Sequence, residues 1–166
     1  MNKIKVKFLG SGDAFGSGGR LQTCIYIESD DTGLLLDCGA SALISMKQFG
    51  VRLPDIDSIF ITHLHGDHFG GIPFFILDSQ LISRRTDPLL IAGPPGMKKR
   101  VLEAMEVHFP GSSRVKQKFE IIFEELPPTV PTRLGAVNVT AYSAVHGSGA
   151  PSYALRVEVS GKTIVL

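Results

Sequence analysis

The sequence predicts an α/β fold in which a sheet is covered on one face by helices and begins with an antiparallel meander. Short apolar segments of the strand type dominate both ends of the chain, and helical periodicity is concentrated between them. The chain has 166 residues, 43% of them hydrophobic, which is enough for one domain with a substantial core. Because we find no internal repeat and no low-complexity tract, we expect a single domain over residues 1–166.

Three strands and a glycine-rich loop open the chain. The first strand alternates Ile4, Val6 and Phe8 with lysines, which predicts one buried face and one solvated face. The next segment, "GSGDAFGSGGR", holds too many glycines for a regular element, so we expect a loop whose backbone can approach another group closely. The polar turn "DDTG" predicts a hairpin between the second and third strands. The three strands are "KIKVKFLG", "TCIYIES" and "GLLLDCG".

Helices and strands alternate in the middle of the chain. One helix has Leu43, Met46 and Phe49 at helical spacing and stops at Gly50, and another is entered through Pro73. A third shows an amphipathic pattern, with Val101, Leu102, Met105 and Phe109 on one side. The predicted helices are "ASALISMKQFG", "GGIPFFILDSQLISRR" and "PPGMKKRVLEAMEVHF". The predicted strands are "IDSIFIT", "PLLIAG" and "FEIIFEEL".

Strands close the chain after a proline-rich connection, "PPTVPTRLG". The last two strands are joined through Ser160, Gly161 and Lys162. The closing strands are "AVNVTAYSAVHG", "SYALRVEVS" and "GKTIVL".

Charge and composition exclude several classes of function. The chain has 17 Lys and Arg against 16 Asp and Glu, so it lacks the broad positive field of a general nucleic-acid binder. The basic run at residues 98–100 is simply a solvated helix face. No apolar run reaches the roughly 20 residues of a membrane span, and no signal peptide is recognisable, so we expect a cytoplasmic protein without membrane contact. Cys24 and Cys38 lack the spacing of a disulfide framework or metal site and are expected to be small buried residues.

Three of the five histidines lie in the short stretch "IFITHLHGDHFGGI". Imidazole and carboxylate are donors for zinc, manganese or iron, and a catalytic zinc keeps one position open. The spacing supplies two half-sites, with His63 and His65 for one ion and Asp67 and His68 for a neighbour. Four such residues within six positions favour metal binding over a surface loop or a histidine-capped turn. We therefore expect one or two zinc ions, with manganese or iron as alternatives.

A third ligand for the first ion must come from elsewhere in the chain. His108 lies near the end of an amphipathic helix, where an ordinary helix-end histidine is the favoured interpretation. His146 follows a strand and precedes a glycine-rich segment, so it occupies the same kind of position as His63. Three imidazoles with a bound water would lower the pKa of that water toward about 7, which indicates hydrolysis by a metal-bound hydroxide.

The motif "THLHGDH" after a strand, with a single histidine much further on, resembles the metallo-β-lactamase superfamily. The stretches "FLGSGDAFGSGGR" and "LLLDCG" are similar to its ribonuclease Z-like and phosphodiesterase-like members in particular. The resemblance implies an αββα sandwich of two sheets flanked by helices, with a hydrolytic site for one or two metals at the sheet edge. It assigns His63, His65 and His146 to the first metal, and Asp67 and His68 to the second. It also implies that Asp37 orients the histidine loop, although a strand-end aspartate that caps a turn is an equal alternative.

The sequence also departs from the family pattern. In the family a bridging aspartate follows the strand after the third histidine motif, and a final histidine lies further on; here that strand is "GKTIVL" and the sequence stops at Leu166. We therefore expect only the N-terminal portion of the fold, an incomplete domain with a truncated, apolar sheet edge. Such an edge predicts a homo-oligomer or domain swapping.

The substrate expected from these features is small. The long arm that ribonuclease Z uses for transfer RNA is absent after "SYALRVEV", so large RNA is not expected, and a small phosphodiester or another ester is favoured. The glycine-rich loop could offer N–H groups to a phosphate, but a tight connection beside the metal site is the preferred interpretation.

Two classes of function remain open. The first is a metal-dependent hydrolase acting on a phosphodiester, with Asp67 as a catalytic residue that binds metal and orients the nucleophile. Lactonase, thioesterase or lactamase chemistry is the alternative within this class. The second is an inactive metal-binding half-domain, useful only for assembly.

Overall fold

The computed structural model of the chain describes residues 3–147, 149 and 151–166, and these form two sheets and four α-helices. The first sheet contains β1 (Lys5–Gly10), β2 (Cys24–Glu28), β3 (Gly33–Leu36), β4 (Ser58–Phe60), β5 (Leu89–Gly93) and β6 (Ile121–Glu125). The second sheet contains β7 (Thr132–Leu134), β8 (Val137–Ala144), β9 (Ser152–Val159) and β10 (Lys162–Val165). The helices are α1 (Ala42–Gln48), α2 (Gly66–Phe69), α3 (Ile72–Leu81) and α4 (Met97–His108).

The first sheet has the strand order β1-β2-β3-β4-β5-β6. Its first three strands pair antiparallel, which confirms the predicted meander, and β3 to β6 pair parallel. The carboxyl ends of parallel strands meet at one edge of a sheet. The residues that follow β3 and β4 therefore lie side by side, and both segments carry predicted site residues.

The second sheet is antiparallel throughout, in the order β10-β9-β8-β7. A two-residue turn joins β9 to β10, with Ser160 at φ 46° and Gly161 at φ 75°, as a tight hairpin turn requires. Lys162 is already the first residue of β10, not part of the turn. The short edge strand β7 lies inside the proline-rich segment that we predicted to be irregular. Proline is compatible with such an edge because an edge strand can leave N–H groups unpaired.

Two hydrophobic cores hold these layers together. One lies between the helices and the first sheet, with Met46, Phe75 and Val101 among its buried members. The other lies between the two sheets and includes Phe60 and Leu155. Helices therefore cover one face of the first sheet and the second sheet covers the other, which confirms the predicted α/β sandwich.

The predicted burial of β1 is wrong. Val6 is 46% exposed and Phe8 is 63% exposed, although both face the same side of the sheet as the buried Ile25 and Ile27 of β2. In the first sheet, the core between the sheets begins at β2. No described residue of β1 belongs to it, and Ile4, just before β1, packs partly against it. Self-association through the exposed sheet edges stays a prediction.

The predicted helices are confirmed, with one change in the buried face of α1. That helix buries Ala42, Ser45 and Met46, and Phe49 lies just past its end and is 52% exposed. The predicted solvated face of α4 is confirmed at residues 98–100. Cys24 and Cys38 are fully buried free cysteines, as expected. None of the helices in the described part of the chain combines the length and the apolar character needed to cross a bilayer.

Candidate metal centre

The histidine motif begins two residues after β4, at the carboxyl end of the first sheet. His63 is 8% exposed, and His65 is the residue immediately before α2. Asp67 and His68 lie on this one-turn helix, so its tight curvature turns successive side chains of the motif toward the same region. A strand end followed directly by a helical turn therefore gathers four polar side chains within six residues.

His146 comes from the second sheet and joins His63 and His65. It follows β8, and its Nε2 lies 3.2 Å from His65 Nδ1. One ligand nitrogen from each of the three residues lies within 4.8 Å of the others. The structure thus brings the three histidines together, as the sequence predicts. His108 lies outside this cluster at the end of α4, where its ring is 5.1 Å from that of Phe74.

The three histidines fit a divalent cation. The Nε2 atom of His63 is buried and has no hydrogen-bond partner among the described residues, whereas its Nδ1 lies 3.0 Å from Thr62 Oγ1. Burial, reinforced by the neighbouring histidines, lowers the pKa of His63 to about 4. The ring is therefore neutral near pH 7, which is the state that binds metal. A cation among these nitrogens would give the buried His63 Nε2 the partner that it lacks among the described residues.

Asp37 anchors the histidine loop from the end of β3. Its carboxylate accepts the Thr62 backbone N–H at 2.8 Å and the Thr62 hydroxyl at 2.9 Å, and its Oδ2 lies 2.6 Å from His68 Nδ1. Asp37 is fully buried and has φ 58°, a left-handed conformation that aspartate tolerates better than most residues. Of the two interpretations left open by the sequence, these contacts support the one in which Asp37 orients the loop.

Asp37 and His68 form a hydrogen-bonded pair. Burial raises the pKa of the Asp37 carboxyl, and the hydrogen bonds from His68 and Thr62 oppose that rise. Burial works against a charged His68, but the hydrogen bond to Asp37 and its negative charge outweigh burial and raise the pKa of the ring. Because Asp37 already accepts two bonds from Thr62, we place the proton of this hydrogen bond on His68 Nδ1. In the neutral ring, His68 Nε2 then keeps its lone pair and is available as a ligand.

Asp67 and His68 form a pair beside the three-histidine cluster. Asp67 Oδ2 lies 3.4 Å from His68 Nε2. Within the described ranges, the three-histidine cluster is the one group of three or more candidate donors. A second ion would therefore have two candidate ligands, Asp67 and His68, among the described residues.

A cavity of about 760 Å³ opens over the whole cluster. Its walls include the predicted site residues, Tyr153 of β9 and residues 13–15 of the glycine-rich loop. Among the described residues that line it, none is a lysine or an arginine. Imidazoles and aspartates therefore supply the charged and titratable lining of this cavity among the described residues.

The glycine-rich loop is not an open phosphate cradle. The carboxylate of Asp13 accepts the backbone N–H groups of Phe15 at 3.1 Å and Ser17 at 3.0 Å, and the Ser17 hydroxyl at 2.7 Å. An anion from the loop itself thus occupies the donors that a phosphate would need. The preferred interpretation of this segment, a tight connection beside the site, agrees with these contacts.

Sequence reasoning missed two residues that shape the site. Thr62 links Asp37, His63 and the second sheet, since its carbonyl accepts the Tyr153 N–H at 3.0 Å. A threonine directly before the first histidine was visible in the sequence, but nothing there indicates its partners. Phe15 lines the cavity and is 91% exposed; an isolated phenylalanine in a glycine-rich loop could have been noticed as an exposed aromatic.

The fold agrees with comparisons to known proteins. Ribonuclease Z of Lachnoclostridium phytofermentans is 31% identical over 164 residues, which are 97% of this chain and 51% of that protein. Human zinc phosphodiesterase ELAC protein 1 is 30% identical over 166 residues, which are 98% of this chain and 43% of that protein. The chain spans about half the length of the curated relatives it matches.

Solved structures show the same fold. The crystal structure of human tRNase Z, short form, superposes with a TM-score of 0.77 at 26% identity and covers 100% of this chain and 68% of that chain. The metallo-β-lactamase fold protein YhfI from Bacillus subtilis superposes with a TM-score of 0.74 at 22% identity and covers 98% and 60%. The predicted metallo-β-lactamase-type fold, of which the chain covers the N-terminal portion with a sheet flanked by helices, is confirmed.

The fold and these similarities define the class as metallo-β-lactamase-fold proteins of the ribonuclease Z-like branch, which confirms the resemblance seen in the sequence. A family model described as "Anti-Pycsar protein Apyc1" matches residues 4–166. The chain belongs to that family.

Replacement of Gly71 by alanine should destabilise the loop that carries the histidines. A Cβ at Gly71 would lie 2.2 Å from the Gly39 carbonyl oxygen. Because that oxygen belongs to the backbone, the clash cannot be relieved by moving a flexible side chain. We expect a loss of about 2–3 kcal/mol in the free energy of unfolding, measured by urea denaturation. Gly66→Ala is the matched control, because a Cβ there meets nothing within 4 Å. Equal losses in the two variants would contradict this explanation, which depends on the close approach of residues 39 and 71.

Acidification should weaken the metal-free protein through His63. The pKa of His63 in the folded protein is lowered to about 4, whereas its ordinary value is 6.5. Below pH 6.5 the unfolded chain therefore binds a proton that the folded protein does not. The free energy of unfolding is then highest above pH 6.5 and decreases as the pH falls toward 4. The site opens to solvent, so we expect only about 1 kcal/mol between pH 7 and pH 5. The free energy of unfolding of the wild type and of His63→Gln is measured by urea denaturation at each pH, both in excess chelator. The difference between the two pH dependences is the contribution of His63. An identical pH dependence in the two proteins would refute it.

Proposed function

We propose that the chain carries the zinc-dependent centre of a phosphodiesterase that acts on a small phosphodiester. The observation that carries the proposal is the convergence of His63, His65 and His146, with a buried His63 Nε2 that lacks a partner among the described residues. The names of the relatives, ribonuclease Z and zinc phosphodiesterase, supply the bond type and the metal.

The residues of the site have distinct roles in this proposal. His63, His65 and His146 hold the cation, which when bound supplies Lewis acidity and lowers the pKa of water toward about 7. Asp67 accepts a hydrogen bond from the attacking water and orients it. Asp37 and Thr62 fix the histidine loop, and His68 holds a proton on Nδ1 so that Nε2 faces Asp67.

The architecture around the site favours a small substrate. The two-residue turn between β9 and β10 leaves no arm at the position where the resemblance to ribonuclease Z implies one. The cavity of about 760 Å³ is within the range of small-ligand sites, about 300–1,000 Å³. Since its described lining has no lysine or arginine, it offers little to the backbone of a long nucleic acid.

A panel of substrates tests the proposal directly. The full natural protein, loaded with zinc, is assayed on bis-p-nitrophenyl phosphate, a thioester and a lactone under the same conditions. We expect turnover of the phosphodiester and little of the other two. Rapid thioester or lactone cleavage without phosphodiester turnover would refute the proposal, and about one bound zinc with no hydrolysis would support a metal-binding half-domain instead.

A further inference from the structure

A second, smaller cavity lies between α3, α4 and the segment that follows α4. Its volume is about 180 Å³, and none of its described lining residues belongs to the cavity over the histidines. Most of its walls are apolar and include Ile76, Leu77, Met105 and Phe109. An apolar cavity of about 150 Å³ stays dry and holds benzene. The space between these helices therefore matches a molecule with a single ring.

Helix α3 carries apolar side chains on its outer side as well as on its inner side. Ile76 is buried in the core against the first sheet, whereas Leu81 lines the cavity and is 57% exposed. Val115, from the segment after α4, is a second exposed apolar residue of the lining. A helix at the surface of a globular protein ordinarily turns polar residues to solvent. Exposed apolar side chains around a concave apolar space are typical of a ligand site.

Gln117 supplies this apolar cavity with a hydrogen-bond acceptor. Its Oε1 is buried and has no hydrogen-bond partner among the described residues. The other two polar side chains of the lining are already bonded: Gln80 Oε1 accepts the Lys118 N–H at 2.8 Å, and Ser112 Oγ donates to the Met105 carbonyl at 3.1 Å. A buried water makes about two to four hydrogen bonds, so it would find few partners here. The unpaired acceptor therefore favours a ligand that brings one donor.

We infer that the cavity between α3 and α4 binds a small molecule with a single aromatic ring and one O–H or N–H group, which donates to Gln117 Oε1. The apolar walls take the ring out of water, and Phe109 and Met105 offer the ring and sulfur contacts that aromatic groups prefer. The site is separate from the metal centre, and the inference does not depend on the proposed phosphodiesterase function.

Phenol and toluene test the inference, because they have the same size and only phenol carries a donor. Each is titrated into the full natural protein while the methyl resonance of Met105 is followed by NMR, since the ring current of a bound aromatic molecule shifts it. Met46 is buried outside this cavity and serves as the internal reference. We expect a Kd for phenol of about 1 mM or below. If neither probe shifts Met105 at several times that concentration, the inference is wrong.

Gln117→Leu removes the acceptor and nearly keeps the size of the side chain. We expect the Kd for phenol to increase by about 3- to 10-fold, which is the net effect of one hydrogen bond, whereas the Kd for toluene should not increase. An equal change for both probes, or an unchanged Kd for phenol, would overturn the role of Gln117 and with it the inference.

Leu81→Trp should block the cavity, and Ile82→Trp is its matched control. Ile82 is the next residue and is 70% exposed, but it does not line the cavity. Because both side chains are exposed, we expect both variants to fold, as the unchanged Met46 resonance would show. Phenol should shift Met105 in Ile82→Trp and not in Leu81→Trp. Retained binding in Leu81→Trp would contradict the inference, and so would binding of N-acetyltyrosinamide without binding of phenol, because the occupant would then be a side chain of a partner protein.

Discussion

Replacement of His63 by alanine is expected to abolish zinc binding at the three-histidine cluster. Structural zinc sites contribute roughly 10–16 kcal/mol over four ligands, so one lost ligand corresponds to roughly 3 kcal/mol, or at least about a 100-fold loss of affinity. His63 is the most buried of the three ligands, and its Nε2 has no other described partner. Phosphodiester turnover should fall with the metal. Zinc content by elemental analysis and affinity by chelator competition measure the effect.

His108→Ala is the control for this experiment. His108 lies at the end of α4 against Phe74 and belongs to no cluster of metal donors in the described ranges. Its loss should leave zinc content and affinity unchanged. Retention of one full equivalent of zinc by His63→Ala, with unchanged affinity and a native circular dichroism spectrum, would refute the ligand assignment and with it the proposed centre.

Replacement of Asp37 by alanine should cause the largest loss of stability at this site. The change leaves the Thr62 N–H and His68 Nδ1 without their buried acceptor and places alanine at φ 58°. Removal of one partner from a buried, hydrogen-bonded pair costs about 3–5 kcal/mol. Urea denaturation of the metal-free protein measures the loss. We also expect zinc affinity to fall by about 10- to 100-fold, since partners behind ligating histidines have effects of that size.

Asp37→Asn separates the charge of this residue from its shape. Asparagine tolerates the left-handed conformation and can still accept the Thr62 N–H, so the loss of stability should be clearly smaller than in Asp37→Ala. The negative charge is gone, so the pKa of His68, followed by NMR, should fall below its wild-type value. A decrease of less than about 1 kcal/mol in the free energy of unfolding of Asp37→Ala would contradict the anchoring role. An unchanged pKa of His68 in Asp37→Asn would also contradict it.

The sequence predicted much of the site because its chemistry is local. His63, His65, Asp67 and His68 lie in one short motif after a strand, and a strand end followed by a tight turn leaves few directions for their side chains. His146 was identified from its equivalent position at a strand end. Their roles as ligands stay predictions until a metal is measured.

The remaining features depend on contacts that are remote in sequence. The burial of β1 was mispredicted because alternation shows which residues share a face, not whether another layer covers that face. Gly71 is needed for a close approach to Gly39, which no local pattern reveals. The short edge strand β7 was missed because proline usually argues against a strand.

The position of His146 has a consequence for the behaviour of the whole molecule. It follows β8 of the second sheet, whereas His63 and His65 follow β4 of the first, so an ion bound to all three would act as a cross-link between the two layers. Ligands that bind only the folded state raise its stability by mass action. Amide protons of β8 and β9 should therefore exchange more slowly with deuterium when zinc is present, which makes occupancy of the site readable far from the site itself.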